Sequence, residues 1–313
     1  MKHKLAILSN DAESYLPLLK KADLPNLTVE IIDEIDAKNQ YLQECDIIFG
    51  EPDKVSQAMP FAHHLKWVQS MWAGITPLLS ADLSKDYTLT GVKGIFGQIM
   101  SEYVFSYLLM HERKSLGRYQ NQLAKVWDQT PPGTLQNKSL GIMGLGSIGA
   151  DVAKMAQNFG MKTYGYSRSQ INCDGVDQCF LGDQLLEFVA DLDYLFCVLP
   201  DTPETTGLID KSVLMEMRNT AVIVNAGRGN VIDHIALADA LEQGQIGGAV
   251  LDVFIEEPLP KDNRLWETPN TIITCHTAAM SAPEAIAPIF IDNYQRFIAG
   301  KPLQYTIDFE RGY

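Results

Sequence analysis

Along the first hundred residues, short apolar runs alternate with amphipathic or turn-rich segments. The runs lie at 5–8, 27–32, 45–49, 65–68 and 87–92. Runs of four to six residues have strand length, and continuous rather than alternating hydrophobicity suits strands buried on both faces. The intervals between them can hold helices, so the rhythm predicts βαβ units and a parallel sheet. From Ser101 to Leu116 the period lengthens to a helical face built on Val104, Tyr107, Leu108 and His111. A polar stretch with two prolines, 129–133, then reads as a connection between units. A second series follows, with strands predicted at 139–143, 162–167, 194–198, 221–225, 248–252 and 271–274. Six strands in one series, each with room for a helix after it, is the count of a dinucleotide-binding sheet. After Ser281 one more helical face, Ile286, Ile289, Phe290, Tyr294 and Phe297, runs up to Gly300-Lys301-Pro302.

Composition narrows the classes. A chain of 313 residues with 46% hydrophobic and 20% charged residues is ordinary globular material, long enough for two domains. With 25 Lys and Arg against 39 Asp and Glu, the formal charge is −14. Such a field repels phosphate backbones and excludes nucleic acid as a partner. An anionic substrate must therefore meet a local cluster of positive groups. The five cysteines, Cys45, Cys173, Cys179, Cys197 and Cys275, are scattered without a C-x-x-C pair, which argues against zinc and for buried thiols in a reducing compartment. His63-His64 has no third ligand nearby in sequence and reads as solvent-facing, so no metal is expected. The apolar start stops at Ser9, too short for a signal peptide, and no run approaches the roughly 20 residues of a membrane helix. The expectation is a cytoplasmic protein with no membrane partner.

The strand at 139–143 leads into Gly144-Leu145-Gly146-Ser147-Ile148-Gly149, and a helical pattern of Val152, Ala153, Met155, Ala156 and Phe159 leaves it. Strand, G-x-G-x-x-G and helix together are the context a dinucleotide turn requires. The first glycine permits the turn, the second lets backbone approach a pyrophosphate, and the third lets helix and strand pack closely, with phosphates at the helix N-terminus. An acidic residue at the end of the next strand would bind the ribose 2′-hydroxyl, but Tyr166-Ser167-Arg168-Ser169 stands there. No carboxylate repels a 2′-phosphate and Arg168 offers it a charged partner, so NADP is favoured, with NAD as the alternative.

Arg228, Glu257 and His276 fall at or just beyond the ends of three later strands. Ligands of open α/β sheets bind outside the carboxyl ends of the strands, where segments distant in sequence converge. Arg228 sits between glycines in Asn225-Ala226-Gly227-Arg228-Gly229, and Glu257 precedes Pro258.

These motifs, together with Val198-Leu199-Pro200 and its continuation through Thr205 to Ile209, Asp252-Val253-Phe254 before Glu257-Pro258, and His276 with Ala278-Ala279, resemble the D-isomer-specific 2-hydroxyacid dehydrogenase family. The resemblance covers the chain from about Gly91 onward, and five motifs occur in family order. It implies two doubly wound parallel-sheet α/β domains, a Rossmann cofactor domain over 101–282 inserted into a flavodoxin-like substrate domain formed by 1–100 and 283–313. It implies His276 as general acid in reduction, Glu257 as its hydrogen-bonded orienter, and Arg228 on the substrate carboxylate and 2-oxo oxygen. Trp72, Ala73 and Gly74 would bind substrate, the latter two through backbone N–H groups. Cofactor contacts fall at Gly144 to Gly149, Ser167, Arg168, Ser169, Leu199, Pro200, Thr205, Ala226 and Asp252, the last near the nicotinamide amide. Family members are usually dimers, so a homodimer is expected.

Two departures stand out: Cys275 where the family often has proline, and Ser167 where an acid is common. Tyr166-Ser167-Arg168-Ser169 with Trp72-Ala73-Gly74-Ile75 most resembles the glyoxylate/hydroxypyruvate reductase branch. The expected activity is reduction of a small 2-oxo acid to the D-2-hydroxy acid by NADPH. The alternatives are a D-lactate-type dehydrogenase and a dinucleotide-binding corepressor-like interaction protein. Trp127 is expected to pack rather than reach a partner's active site, and the face from Val104 to Leu116 to form core or dimer contact.

Overall fold

The computed structural model describes residues 2–167 and 175–312. The chain divides into two compact units, Met1–Ile95 with Met280–Tyr313, and Phe96–Ala279.

The first unit holds β1 (His3–Leu8), β2 (Leu27–Ile31), β3 (Ile47–Gly50), β4 (Trp67–Ser70) and β5 (Thr88–Thr90), all parallel, in the order β2-β1-β3-β4-β5. Every residue of β3 and β4 is buried, the polar Gln69 and Ser70 of β4 included. The last helix, Pro283–Ile298, packs on this sheet: the Phe290 ring stacks on Phe49 at 4.7 Å and on Trp67 at 5.1 Å. A buried polar seam fixes its register. Asn293 Nδ2 donates to Gln69 Oε1 at 3.0 Å, and Trp67 Nε1 donates to Thr90 Oγ1 at 2.8 Å, so these groups keep partners away from water.

The second unit is a seven-stranded parallel sheet: β6 (Ser139–Met143), β7 (Lys162–Ser167), β8 (Gln178–Leu181), β9 (Tyr194–Cys197), β10 (Val222–Asn225), β11 (Gly248–Leu251) and β12 (Thr271–Ile273), ordered β12-β11-β10-β9-β6-β7-β8. Successive residues face opposite cores. Leu195 and Ile223 point into one cluster, Phe196 and Val224 into the other. The winding reverses between β6 and β9, the position at which such sheets open a ligand crevice. The sequence pattern predicts six strands here; β8 is the addition. Only Phe180 of its four residues is buried, because an edge strand needs little apolar surface and so leaves little periodic signal.

The helix expected over 101–116 runs instead over Gly97–Glu112, burying Met100, Val104, Phe105 and Leu108. Lys114, at φ 54°, turns the chain, and a separate helix, Ser115–Leu123, buries none of its residues. Residues 129–133 do not connect the units. They lie within the second, where the Gly133 N–H donates to the Glu112 carbonyl at 2.9 Å. Prolines mark a turn equally well inside a unit or between two, and this hydrogen bond decides which. The packing expected of Trp127 is also not found: it is 89% exposed, since neither the preceding helix nor the irregular segment around it meets a core. No helix among the described residues is long and apolar enough to cross a membrane.

Candidate active site

The glycine turn joins β6 to the helix Ser147–Asn158 beside the β6–β9 reversal. Gly144 takes φ 104°, open to glycine and costly for a residue with a Cβ. A Cβ on Gly149 would lie 2.1 Å from the Gly144 carbonyl oxygen, so this position admits no side chain without moving backbone. At Gly146 a Cβ would meet nothing within 4 Å. Gly146 is exposed and caps the helix with no side-chain hydrogen bond, which leaves the first-turn N–H groups facing open space. Uncapped donors at a positive helix end, beside a residue without a side chain, fit a dinucleotide pyrophosphate. Leu145 is buried against Gly165, so it offers only backbone.

Ser167 is the last residue of β7 and half-buried. Arg168 and Ser169, assigned to the 2′-phosphate from sequence, lie outside the described residues. In the loop after β9, the Thr205 hydroxyl donates to the Pro200 carbonyl at 2.7 Å and accepts from the Thr202 N–H at 3.0 Å. Thr205 therefore shapes the turn that carries Leu199 and Pro200. Ala226 is buried just beyond β10.

Arg228 rides on a loop whose path two residues dictate. Asn225, fully buried, donates from Nδ2 to the Arg228 carbonyl at 3.0 Å and accepts from the Gly227 N–H at 3.2 Å. Gly229 lies so close to Phe254 that a Cβ there would come within 2.0 Å of its carbonyl carbon. The loop after β10 is thus pressed onto the loop after β11. Burial pulls the Arg228 guanidinium below its usual range, and the carboxylates of Asp201 and Glu257 oppose this. Its one hydrogen bond within the described residues runs from Nη1 to the Gly227 carbonyl at 2.6 Å. Among the described residues, the rest of its donor fork, which suits a carboxylate, has no hydrogen-bond partner.

Glu257 and His276 meet. His276 Nδ1 lies 2.7 Å from Glu257 Oε2, while Glu257 Oε1 accepts from the Phe254 N–H at 2.8 Å. The imidazole is more than half exposed, with its Nε2 edge free of the pair. His276 has φ 54°, a left-handed backbone that costs a residue with a Cβ roughly 1–2 kcal/mol. Asp252, 1% exposed, supports that loop: its carbonyl accepts from the His276 N–H at 2.8 Å, and its carboxylate accepts from the Thr277 and Ala278 N–H groups at 2.8 and 3.0 Å. The resemblance sets Asp252 near the nicotinamide amide, and both of its carboxylate oxygens already accept hydrogen bonds from this loop.

Trp72, Ala73 and Gly74 follow β4 in the other unit. Trp72 is 38% exposed, and its N–H and carbonyl both bond the Ser70 hydroxyl, at 3.1 and 2.7 Å. His63 and His64 are exposed, and among the described residues no group of three or more His, Cys, Asp or Glu is placed to hold a metal. Asn225 and Asp201 stand inside motifs legible in the sequence but carry no role there, and Thr274 shows only as the end of a predicted strand.

A glycine turn at the switch point, and an arginine, a carboxylate and an imidazole on the loops after three adjacent strands, define a dinucleotide-dependent α/β enzyme. The NAD binding domain of the D-isomer specific 2-hydroxyacid dehydrogenases matches residues 105–278, and the chain belongs to that family. Glyoxylate/hydroxypyruvate reductase A of Serratia proteamaculans is 33% identical over 257 residues, 80% of this chain and 82% of that one. The crystal structure of a D-isomer specific 2-hydroxyacid dehydrogenase family protein from Aeromonas salmonicida is 41% identical and covers 99% of this chain and all of its own, with a TM-score of 0.94. The NADPH-dependent glyoxylate/hydroxypyruvate reductase of Sinorhizobium meliloti, solved with NADP and sulfate, is 28% identical over the full length of both chains, with a TM-score of 0.88.

Proposed function

We propose that the protein reduces a small 2-oxo acid, glyoxylate or hydroxypyruvate, with NADPH, giving the 2-hydroxy acid in its D form where the product is chiral. The observation that carries this is the His276–Glu257 contact at 2.7 Å, on loops adjoining the half-buried Arg228. The names of the relatives from Serratia and Sinorhizobium support the substrate and the cofactor. The unit Phe96–Ala279 holds the dinucleotide through the backbone of Gly144 to Gly149, with Ser167, Arg168 and Ser169 toward the 2′-phosphate, Leu199, Pro200, Thr205 and Ala226 along the crevice, and Asp252 near the amide. The other unit binds substrate through Trp72 and the backbone of Ala73 and Gly74.

The bound nicotinamide supplies a hydride. The chain supplies everything else. Glu257 occupies Nδ1 of His276, which leaves Nε2 to deliver a proton to the 2-oxo oxygen as that oxygen gains charge. Arg228 holds the substrate carboxylate and stabilises the same developing charge from a partly desolvated position, where the interaction is stronger than in water. One proton and one hydride convert the 2-oxo acid to the 2-hydroxy acid.

A second copy of this chain is proposed to cover the exposed apolar residues Leu116, Tyr119, Leu123 and Trp127, giving a homodimer. Of the thiols expected to be buried, Cys45 and Cys197 are, whereas Cys179 and Cys275 are exposed; that all four are free supports a cytoplasmic setting.

The test is a panel of 2-oxo acids assayed with NADPH and NADH. Glyoxylate or hydroxypyruvate should be reduced, with NADPH favoured by roughly tenfold or more, as one charged contact to the 2′-phosphate implies. If no 2-oxo acid oxidises either cofactor, the proposed activity is wrong, and a dinucleotide-binding interaction protein takes its place.

A further inference from the structure

The Glu257 contact orients the imidazole ring but does not place the backbone from which the ring projects. That backbone is held from below. Residues 274–278 wrap around Asp252, whose Oδ1 accepts from the Thr277 N–H and from the Thr274 hydroxyl and whose Oδ2 accepts from the Ala278 N–H. A further contact joins Thr274 Oγ1 to the Tyr103 hydroxyl at 2.9 Å. Proton counting fixes its direction. The single hydroxyl proton of Thr274 goes to a carboxylate, which only accepts, so Tyr103 must be the donor to Thr274. Burial pushes the Tyr103 phenol up, and the phenol keeps that proton. The chain Tyr103, Thr274, Asp252 therefore runs one way, from the helix Gly97–Glu112 into the carboxylate beneath His276.

We propose that Thr274 and Tyr103 are positioning residues for His276: their two hydroxyls orient the Asp252 carboxylate, and the carboxylate holds the left-handed turn that presents the imidazole. This rests on the proposed role of His276 as proton donor. Tyr103 lies on a helix whose neighbouring side chains, Met100, Val104 and Phe105, are buried, so the anchor is rigid and lies outside β11 and β12. Without the Thr274 hydroxyl, Asp252 Oδ1 keeps only one donor from the loop, and the turn at His276 relaxes toward ordinary backbone angles. Thr274 and Tyr103 are themselves assigned no contact with substrate or cofactor, so the loss falls mainly on turnover.

The experiment compares kcat, KM for the 2-oxo acid, NADPH affinity and Tm of Thr274→Val, Thr274→Ser and Tyr103→Phe with the unmodified enzyme. Thr274→Val keeps the branched shape without the hydroxyl and should lower kcat at least tenfold, with KM and NADPH affinity changed less than threefold. Thr274→Ser restores the hydroxyl and should bring kcat back to within threefold. Tyr103→Phe should lower kcat threefold or more in the same pattern, and it decides the question if Thr274→Val folds poorly. The proposal is overturned if kcat stays within threefold in both hydroxyl-deleted variants, if kcat and KM move together, or if serine fails to rescue. His276→Ala separates the two levels. Full activity in His276→Ala overturns the catalytic reading itself, whereas loss there with normal Thr274→Val and Tyr103→Phe overturns this proposal alone.

Discussion

Gly146 and Gly149 share one motif, and the structure assigns them different consequences on substitution. Gly146 has φ −77° and ψ −166°, extended backbone that any residue adopts, and an added Cβ meets nothing within 4 Å. Gly146→Ala should leave the free protein as stable as before, or more stable by about 0.4–1 kcal/mol through reduced freedom of the unfolded chain. The new methyl would stand in the open space above the first-turn N–H groups, where a pyrophosphate must come. Losing even one charged hydrogen bond, about 1.5–3 kcal/mol, weakens binding roughly ten- to hundredfold. Gly149→Ala reverses the pattern. Its Cβ would lie 2.1 Å from the Gly144 carbonyl oxygen, a backbone atom that no rotamer change can move. Overpacking of this kind costs about 1–3 kcal/mol, at about 2–4 °C of Tm per kcal/mol for a unit of this size. Thermal unfolding of the free protein and an NADPH binding titration measure the two effects separately. The reasoning fails if Gly146→Ala binds NADPH within threefold of the unmodified protein, or if its Tm falls as far as that of Gly149→Ala.

Three further outcomes follow from the site. His276→Ala should cost on the order of 10²–10⁴ in kcat, while Glu257→Gln, which keeps the shape but not the charge at the 2.7 Å contact, should cost about tenfold; steady-state rates with the best 2-oxo acid measure both. Ser167→Asp should shift preference toward NADH, with kcat/KM for NADPH falling roughly tenfold or more, because a carboxylate at the end of β7 repels a 2′-phosphate; an unchanged cofactor ratio would remove Ser167 from that role. Burial pushes the Cys45 thiol up to about 12, so at pH 8 only about one molecule in ten thousand carries the reactive thiolate, whereas Cys179 and Cys275 are exposed. Peptide mapping after alkylation of the folded protein should find Cys179 and Cys275 modified before Cys45, with Cys45 reacting faster as pH rises toward its pKa.

The local signals were strongest where chemistry and backbone geometry coincide in a few consecutive residues. Gly144 to Gly149 could be read directly, because a strand, a turn needing positive φ and a helix follow one another within the motif itself. β3 and β9 were visible for a related reason: their residues are all buried and none is strongly polar, so nothing interrupts the run. β8 was invisible because three of its four residues are not buried. The end of the helix at Glu112 was missed because the apolar spacing continues through Leu116, and only the left-handed Lys114 breaks it.

The chain order of motifs was enough to name Arg228, Glu257 and His276 and the family they belong to, since each residue type carries its chemistry wherever it stands. What holds these three side chains in place was decided only in three dimensions. Glu257 reaches His276 because β11 and β12 are paired in parallel, which brings their carboxyl ends side by side. Arg228 is placed by the contact of Gly229 with Phe254 and by the two hydrogen bonds of Asn225. Asp252, Thr274 and Tyr103 meet across 149 and more positions of sequence to the helix Gly97–Glu112, with Tyr103 and Thr274 lying 171 residues apart. Hydrogen bonds of this length in sequence leave no periodicity to read. They exist because folding removes these polar groups from water together, and each must then find its partner among the few that share the site.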